Sequence, residues 1–395
     1  MAIDPELGTW QDLHHAIARI QAMGVKCVMI PVSRRNRRGP CIMHLIKRRL
    51  MTAERIAMDE KQNNVVRLVR QALVIAALVL TTTSGCAAAS GVIRPGATWR
   101  DNRGRIINAH GGCILKQGGS FYWFGEDHPR RVDPDKRCVN CYSSHDLVHW
   151  TFRNKVVQLA KPDGFDKTWI IERPKVFYNR LTRSYVMYTH IDAHRYSLAE
   201  VAVFVCKTID GNYRFVKRFR PLGHQSRDIG SFTDRNGKAY LLFEDRPSGF
   251  RIVELSRNYL SVKKQVCLIH QHLEGLGLVH YHGLYYVLGS HLTSWWPNPD
   301  VYATAKSLAG PWSKFHNIAP PKTKTYHSQS GFLLSITGSR ATSVIYMGDR
   351  WNPAHLWNSR YIWMPLKIGN GHLRLPRPAP WTIDVKTGIT HILGR

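Results

Sequence analysis

Past residue 90 the chain alternates between short aromatic, β-branched runs and polar turns, and no helical period of comparable length competes with them. Five runs stand out: Phe121 to Glu126, Tyr185 to Tyr188, Tyr240 to Asp245, Tyr285 to Gly289 and Ile345 to Asp349. Each follows a turn signal, respectively Gly118-Gly119, Arg180 to Arg183, Asn236-Gly237, His282-Gly283 and Gly338-Ser339. A strand, a polar turn and a second strand make a hairpin. The runs recur 45 to 64 residues apart, enough chain for one four-stranded sheet each. Five such units predict an all-β fold, a five-bladed β-propeller from about residue 95 to 390, in which radial repetition protects the sheet edges. A two-sheet sandwich is the competing all-β arrangement. It does not account for five copies of one hairpin.

A second feature keeps phase with the first. Some 11 to 16 residues before each aromatic run stands a polar residue among small or apolar neighbours: His110, Glu172, Asp228, Glu274 and Gln329. Equivalent positions of innermost strands converge near a propeller axis. Three carboxylates, a histidine and an amide are therefore expected to ring one end of the central channel. Carboxylates brought together have their pKa values pushed apart, which is what acid/base chemistry needs. A single such residue is explained by hydrogen bonding to inner-strand backbone. Five in phase point to a site.

Composition changes the picture in three places. The chain has 395 residues, 44% of them hydrophobic, and no apolar run of 18 or more, so disordered and polytopic membrane classes are excluded. Lys and Arg outnumber Asp and Glu 56 to 27, for a formal charge of +29, so attraction to anions needs an account. Arg and Lys are spread along every blade rather than clustered with aromatics, which argues against a nucleic-acid partner. The eight cysteines are too few for a disulfide scaffold, and the lone Cys138/Cys141 pair lacks the second pair of a zinc ribbon. Free thiols or one local disulfide are expected there.

The first ninety residues read differently. Basic Arg67 and Arg70, an apolar run from Ala72 to Leu80 and small residues from Ser84 to Ala89 form a secretory signal over 67–90. Ser84-Gly85-Cys86 also resembles a bacterial lipobox, so either a lipid on Cys86 or plain cleavage after the alanines is open. Residues 1–66 read as a leader or a misassigned upstream segment, with Met51 or Met58 as alternative starts. The expected domain is 91–395, secreted, periplasmic or lipid-anchored at a bacterial cell envelope.

Asn108 to Gly112, Phe121 to Glu126, Tyr142 to Trp150, Glu172 to Asn179, Glu274-Gly275, Ser290 to Asn298 and Ser359 to Leu366 give the segment 91–395 a family resemblance. It resembles the five-bladed glycoside hydrolase family 43, and within it the exo-β-1,3-galactanase (galactan 1,3-β-galactosidase) branch. The resemblance implies Glu274 as general acid and Asp228 as the residue that tunes its pKa. The family's blade-one aspartate base is missing, since Ala109-His110-Gly111-Gly112 stands in its place. The galactanase branch shares that departure and uses a late-blade glutamine, matched by Gln329, to orient or activate water. Glu172 matches the branch's additional acidic residue. Inversion then needs a gap of roughly 6.5–9.5 Å for water.

A sugar site also wants flat apolar platforms and hydrogen-bonding rims. Tyr196, Trp295 and Trp296 are the candidate platforms, and Glu126, Thr293 and His110 candidate hydroxyl partners. The stretch Ser143 to Trp150 reads as an inter-strand turn. The tryptophans Trp351, Trp357, Trp363 and Trp381 read as closing blade five. No cofactor and no metal ligand is expected, with a structural calcium ion left open. The expected activity is exo-type, inverting hydrolysis of β-1,3-galactan by a monomer, on a polysaccharide or oligosaccharide that includes acidic arabinogalactan. The alternatives are another family 43 activity, such as arabinofuranosidase or xylosidase, or a carbohydrate-binding propeller without catalysis. A propeller that only binds would keep the aromatic platforms without needing Glu274 and Asp228 in phase.

Overall fold

Every one of the five aromatic runs forms the second strand of a meander in the computed structural model, which describes residues 91–130, 138–159, 161–165 and 168–394. The leader (1–66), the signal segment (67–90) and Cys86 lie outside the described residues. Blade one is β1 (His110–Gln117), β2 (Ser120–Glu126), β3 (Cys138–Ser144) and β4 (Thr151–Gln158). Blade two is β5 (Ile170–Asn179), β6 (Ser184–Asp192), β7 (Glu200–Cys206) and β8 (Arg214–Phe219). Blade three is β9 (Ile229–Thr233), β10 (Ala239–Asp245), β11 (Gly249–Leu255) and β12 (Val262–Ile269). Blade four is β13 (Glu274–Tyr281), β14 (Leu284–Ser290), β15 (Val301–Ala305) and β16 (His316–Asn317). Blade five has three strands in its sheet, β17 (Gln329–Thr337), β18 (Thr342–Arg350) and β19 (Arg360–Pro365).

The innermost strands pack in a closed cycle, β1 on β5, β5 on β9, β9 on β13, β13 on β17 and β17 back on β1. That cycle is the propeller. Blade faces pack on both neighbours, so middle strands are buried on both sides and read as continuous apolar runs; β6, β10 and β11 are buried throughout. The outermost strands carry Lys and Arg on their exposed positions, as in Arg214, Lys217 and Arg218 of β8 and Lys263 and Lys264 of β12. Charged edge residues discourage strand addition by another molecule. Part of the high positive charge therefore has a structural use.

Two short hairpins follow, β20 (Lys367–Gly369) with β21 (His372–Arg374) and β22 (Trp381–Asp384) with β23 (Ile389–Ile392). The second closes the ring with the start of the domain. Ile93 and Trp381 exchange backbone hydrogen bonds at 2.8 and 3.0 Å, and the Gly96 N–H donates to the Tyr361 carbonyl of β19 at 2.7 Å. Trp381 is buried, and its indole N–H donates to the Trp363 carbonyl at 2.7 Å. Trp363 and Trp381 thus close blade five as expected, whereas Trp351 at the end of β18 turns toward the channel. Replacing Trp381 by Ala should remove roughly 3–5 kcal/mol of stability, read as a lower urea midpoint. An unchanged midpoint would show that this hairpin does not hold the ring shut.

Cys138 and Cys141 are free and buried on β3. Residues three apart on a strand point to opposite faces, so the pair cannot bridge. The Ser143 to Trp150 stretch is a turn locked by Asp146, whose carboxylate accepts from the Val148 and His149 N–H groups at 2.9 and 2.8 Å.

Candidate active site

One local device sets the site. At the start of β1, β5, β13 and β17 the register with the second strand slips, so each inner strand opens with a bulge. The residue after the polar one takes a left-handed conformation in three cases: Gly111 (φ 56°), Arg173 (φ 52°) and Gly275 (φ 63°). Such bulges re-aim a side chain, here into the channel mouth. Gly275 is required twice over, because a Cβ there would stand 2.4 Å from the Ser330 carbonyl. Arg173 adopts the same conformation without being glycine, a strained state that clusters at functional sites.

All five in-phase residues sit at or within two residues of an inner strand's first position. Each faces a residue at the end of a second strand: His110 faces Glu126, Glu172 faces His190, Glu274 faces Ser290 and Gln329 faces Asp349. The Glu244 N–H donates to the Asp228 carbonyl at 2.9 Å, completing the set. Two polar rings therefore stack at one end of the channel. Of the second ring, the sequence reading singled out only Glu126.

Arg173 ties three blades together. Its Nη2 lies 2.9 Å from Asp228 Oδ2 and donates to Gln329 Oε1 at 2.5 Å, while Nη1 donates to the Ser330 carbonyl at 3.2 Å. Burial alone would raise the Asp228 pKa. The Arg173 charge, a 2.8 Å hydrogen bond from the Gly275 N–H and the nearby His190 outweigh it and hold Asp228 low and ionised. Trp351 Nε1 also donates to Gln329 Oε1, at 2.8 Å. Both Arg173 and Trp351 can only donate, so the amide oxygen must face them and Nε2 must face the other way.

Gln329 Nε2 donates to Glu274 Oε1 at 2.9 Å and to Ser290 Oγ at 3.0 Å. The Thr293 N–H gives Glu274 Oε1 a second bond at 3.1 Å, and no hydrogen bond to Oε2 is formed among the described residues. Burial first, then repulsion from Asp228 and Glu244, pushes the Glu274 pKa up to about 8 despite Arg173. A neutral carboxyl with both N–H donors on one oxygen carries its proton on the other. Glu274 lines the pocket. The gap expected between acid and water-holding group is not open here, since the Gln329 amide touches the acid directly.

Glu172 sits between two partners, accepting from Tyr196 OH at 2.7 Å and facing His190 Nδ1 at 3.1 Å. His190 Nε2 faces Asp192 at 3.2 Å. Burial alone would lower the His190 pKa, but Asp192 and Glu172 raise it to about 9. Glu172, His190 and Asp228 offer donor atoms within 4.8 Å of one another, a set of metal-binding type. Both ring nitrogens of His190 face carboxylates, Nδ1 toward Glu172 and Nε2 toward Asp192.

Glu126, Tyr196 and Trp295 line the pocket with Glu172, Asp228, Glu274 and Gln329. Glu126 is buried, its Oε1 3.7 Å from His128 Nε2, and among the described residues neither carboxylate oxygen has a hydrogen bond; burial, chiefly, raises its pKa. Trp295 packs edge-on against Trp351 with centroids 4.7 Å apart. Three expected binding residues fall elsewhere. His110 is buried behind the pocket, its Nδ1 2.8 Å from Asp349 and its ring stacked on Tyr361. Thr293 acts through its backbone N–H on Glu274, and Trp296 stands 67% exposed outside the pocket lining. Sequence reasoning passed over Arg173, His190, Glu244 and the pocket-lining Arg195, Arg227 and Arg246. The signal for His190 and Glu244 was present, as the polar residue that ends each aromatic strand.

The profile described as "Glycosyl hydrolases family 43" matches residues 109–332. An exo-β-1,3-galactanase from Phanerochaete chrysosporium, solved with galactose, is 39% identical over 77% of this chain and 71% of that chain, with a TM-score of 0.72. A variant of the same fungal enzyme, solved with β-1,3-galactotriose, is 39% identical over 76% of this chain and 70% of that one, with a TM-score of 0.72. An exo-β-1,3-galactanase from Clostridium thermocellum is 35% identical over 76% of this chain and 68% of that one, with a TM-score of 0.70. Among curated proteins no match is found.

Proposed function

The chain belongs to glycosyl hydrolases family 43, and on that premise we propose that it removes galactose from the ends of β-1,3-linked galactan. The observation that carries the chemistry is Glu274, a carboxyl with one oxygen held by two N–H donors and a pKa of about 8. Such a group gives a proton to a glycosidic oxygen at neutral pH. Burial and, after it, repulsion from Asp228, itself held ionised by Arg173, keep that proton on Glu274. The substrate is inferred from relatives solved with galactose and β-1,3-galactotriose.

In this reading Gln329 orients water once its Nε2 is released from Glu274, rather than taking the water's proton. A base role would require the imidic-acid form, with a proton on Oε1. That oxygen already accepts from Arg173 and Trp351, which favours the ordinary amide. Glu126, with both oxygens unbonded in the pocket, accepts sugar hydroxyls, and Trp295 and Tyr196 supply apolar surface.

The test is purified protein against β-1,3-galactan, arabinan, xylan and aryl-glycosides. Galactose as the sole product from β-1,3-galactan is expected; turnover of xylan or arabinan instead would replace this reading with another family activity. Binding without turnover would leave a lectin-like propeller. Gln329→Ala should cut galactan and aryl-galactoside hydrolysis alike, by roughly 10²–10³-fold, because placing water does not depend on the leaving group. A loss confined to the polymer would remove Gln329 from the water's side of the reaction.

A further inference from the structure

Four arginines line the pocket, more than a neutral galactan calls for. Five carboxyl groups, Glu126, Glu172, Asp228, Glu244 and Glu274, line it as well. The arginines are Arg173, Arg195, Arg227 and Arg246. Arg173 and His190 lie on the floor and are matched to Asp228 and Glu172. The other three stand on the blade-two and blade-three side of the mouth.

Their partners leave them unsatisfied. Arg195 is exposed and makes no hydrogen bond or ion pair among the described residues. It sits with Tyr196 in two successive left-handed conformations (φ 62° and 56°), a strained turn that brings Tyr196 OH to Glu172 while Arg195 remains in solvent. Arg246 gives Nε to Glu244 at 2.7 Å, and among the described residues its two terminal nitrogens make no hydrogen bond. Arg227 gives Nη2 to the Tyr196 carbonyl at 3.0 Å, its Nη1 stands 3.6 Å from an Asp192 already shared with His190, and its Nε has no partner. Guanidinium forks of this kind match carboxylates in a bidentate manner.

We propose that Arg195, Arg227 and Arg246 form a carboxylate-binding rim, so that the preferred substrate is a β-1,3-galactan whose branches carry uronic acid. The backbone galactose is neutral, so the anion sits on a substituent at the pocket mouth while galactose fills the floor. The chain's formal charge of +29 would draw such an acidic polymer toward the site. This inference rests on the galactanase reading for its floor sugar, but the rim can be tested separately.

The experiment compares β-1,3-galactan bearing glucuronate-ended branches with the same polymer after its carboxyls are reduced to alcohols. Wild-type kcat/KM should be about tenfold higher on the acidic polymer at low salt, and the preference should shrink on raising NaCl to about 0.5 M. In an R195Q/R246Q double variant the preference should fall to near unity. Equal wild-type rates on the two polymers, or a preference kept by the double variant, would overturn the rim. If neither polymer is cleaved, the galactanase reading fails and calorimetry decides the rim alone. Binding of a glucuronate-ended oligosaccharide that is lost in R195Q/R246Q upholds it; no binding to wild type refutes it.

Discussion

Glu274→Gln should lower galactose release from β-1,3-galactan by roughly 10²–10⁴-fold, the usual worth of a positioned general acid. The amide keeps the shape and can still face Thr293 and Gln329, but it has no proton to give. An aryl-galactoside with a good leaving group needs little protonation and should lose far less. In wild type, activity on galactan should hold below about pH 8 and fall above it, as Glu274 loses its proton. The same group predicts the stability of the variant. Its folded pKa lies above the unfolded carboxyl value, so the native state is progressively destabilised relative to the unfolded chain as pH rises from about 4.3 to about 8. Glutamine removes that cost. The variant should therefore be at least as stable as wild type at pH 7, so that lost turnover cannot be read as lost fold. Near-full galactan hydrolysis by Glu274→Gln would end the acid assignment.

How much of this was legible before the structure depends on whether a feature is local. The five hairpins were readable because middle strands are buried on both faces and so spell continuous aromatic runs. The outer strands were not, since β8 and β12 alternate little and face solvent with Lys and Arg, and β16 is two residues long. Blade five's closure by Ile93, Gly96 and Trp381 is a long-range pairing that leaves no local pattern. The first polar ring was readable by phase alone, because a propeller places equivalent positions together. What phase cannot supply is how the ring members neutralise one another. Trp351 looked like one more closing tryptophan, yet its indole N–H fixes the Gln329 amide. His110 kept phase but belongs to the support of Asp349, because burial, the largest influence on it, lowers its pKa and favours a neutral ring.

Arg173 is the sharpest case, a residue quoted within a motif and assigned nothing. Its left-handed backbone and its three-blade reach follow from the bulge of β5, which no local pattern announces. Arg173→Met should be severe on two counts. Removing one partner of a buried pair leaves Asp228 uncompensated, a cost of roughly 3–5 kcal/mol in stability. Burial then governs Asp228 and raises its pKa. The stability deficit should be largest at neutral pH and shrink on acidification, as Asp228 takes up a proton. That is the reverse of wild type, where the depressed Asp228 contributes stability above its unfolded pKa and loses it in acid. Arg173→Lys separates charge from position. It restores a cation near Asp228, so the pH dependence should return toward wild type, but a single ammonium cannot reproduce the planar fork shared by Asp228, Gln329 and Ser330. Turnover should stay about 10²-fold down on galactan and aryl-galactoside alike, since a displaced Gln329 misplaces water whatever the leaving group. Full activity in the lysine variant would show that Arg173 acts through charge alone; a deficit in the methionine variant that does not vary with pH would show that it only fills space.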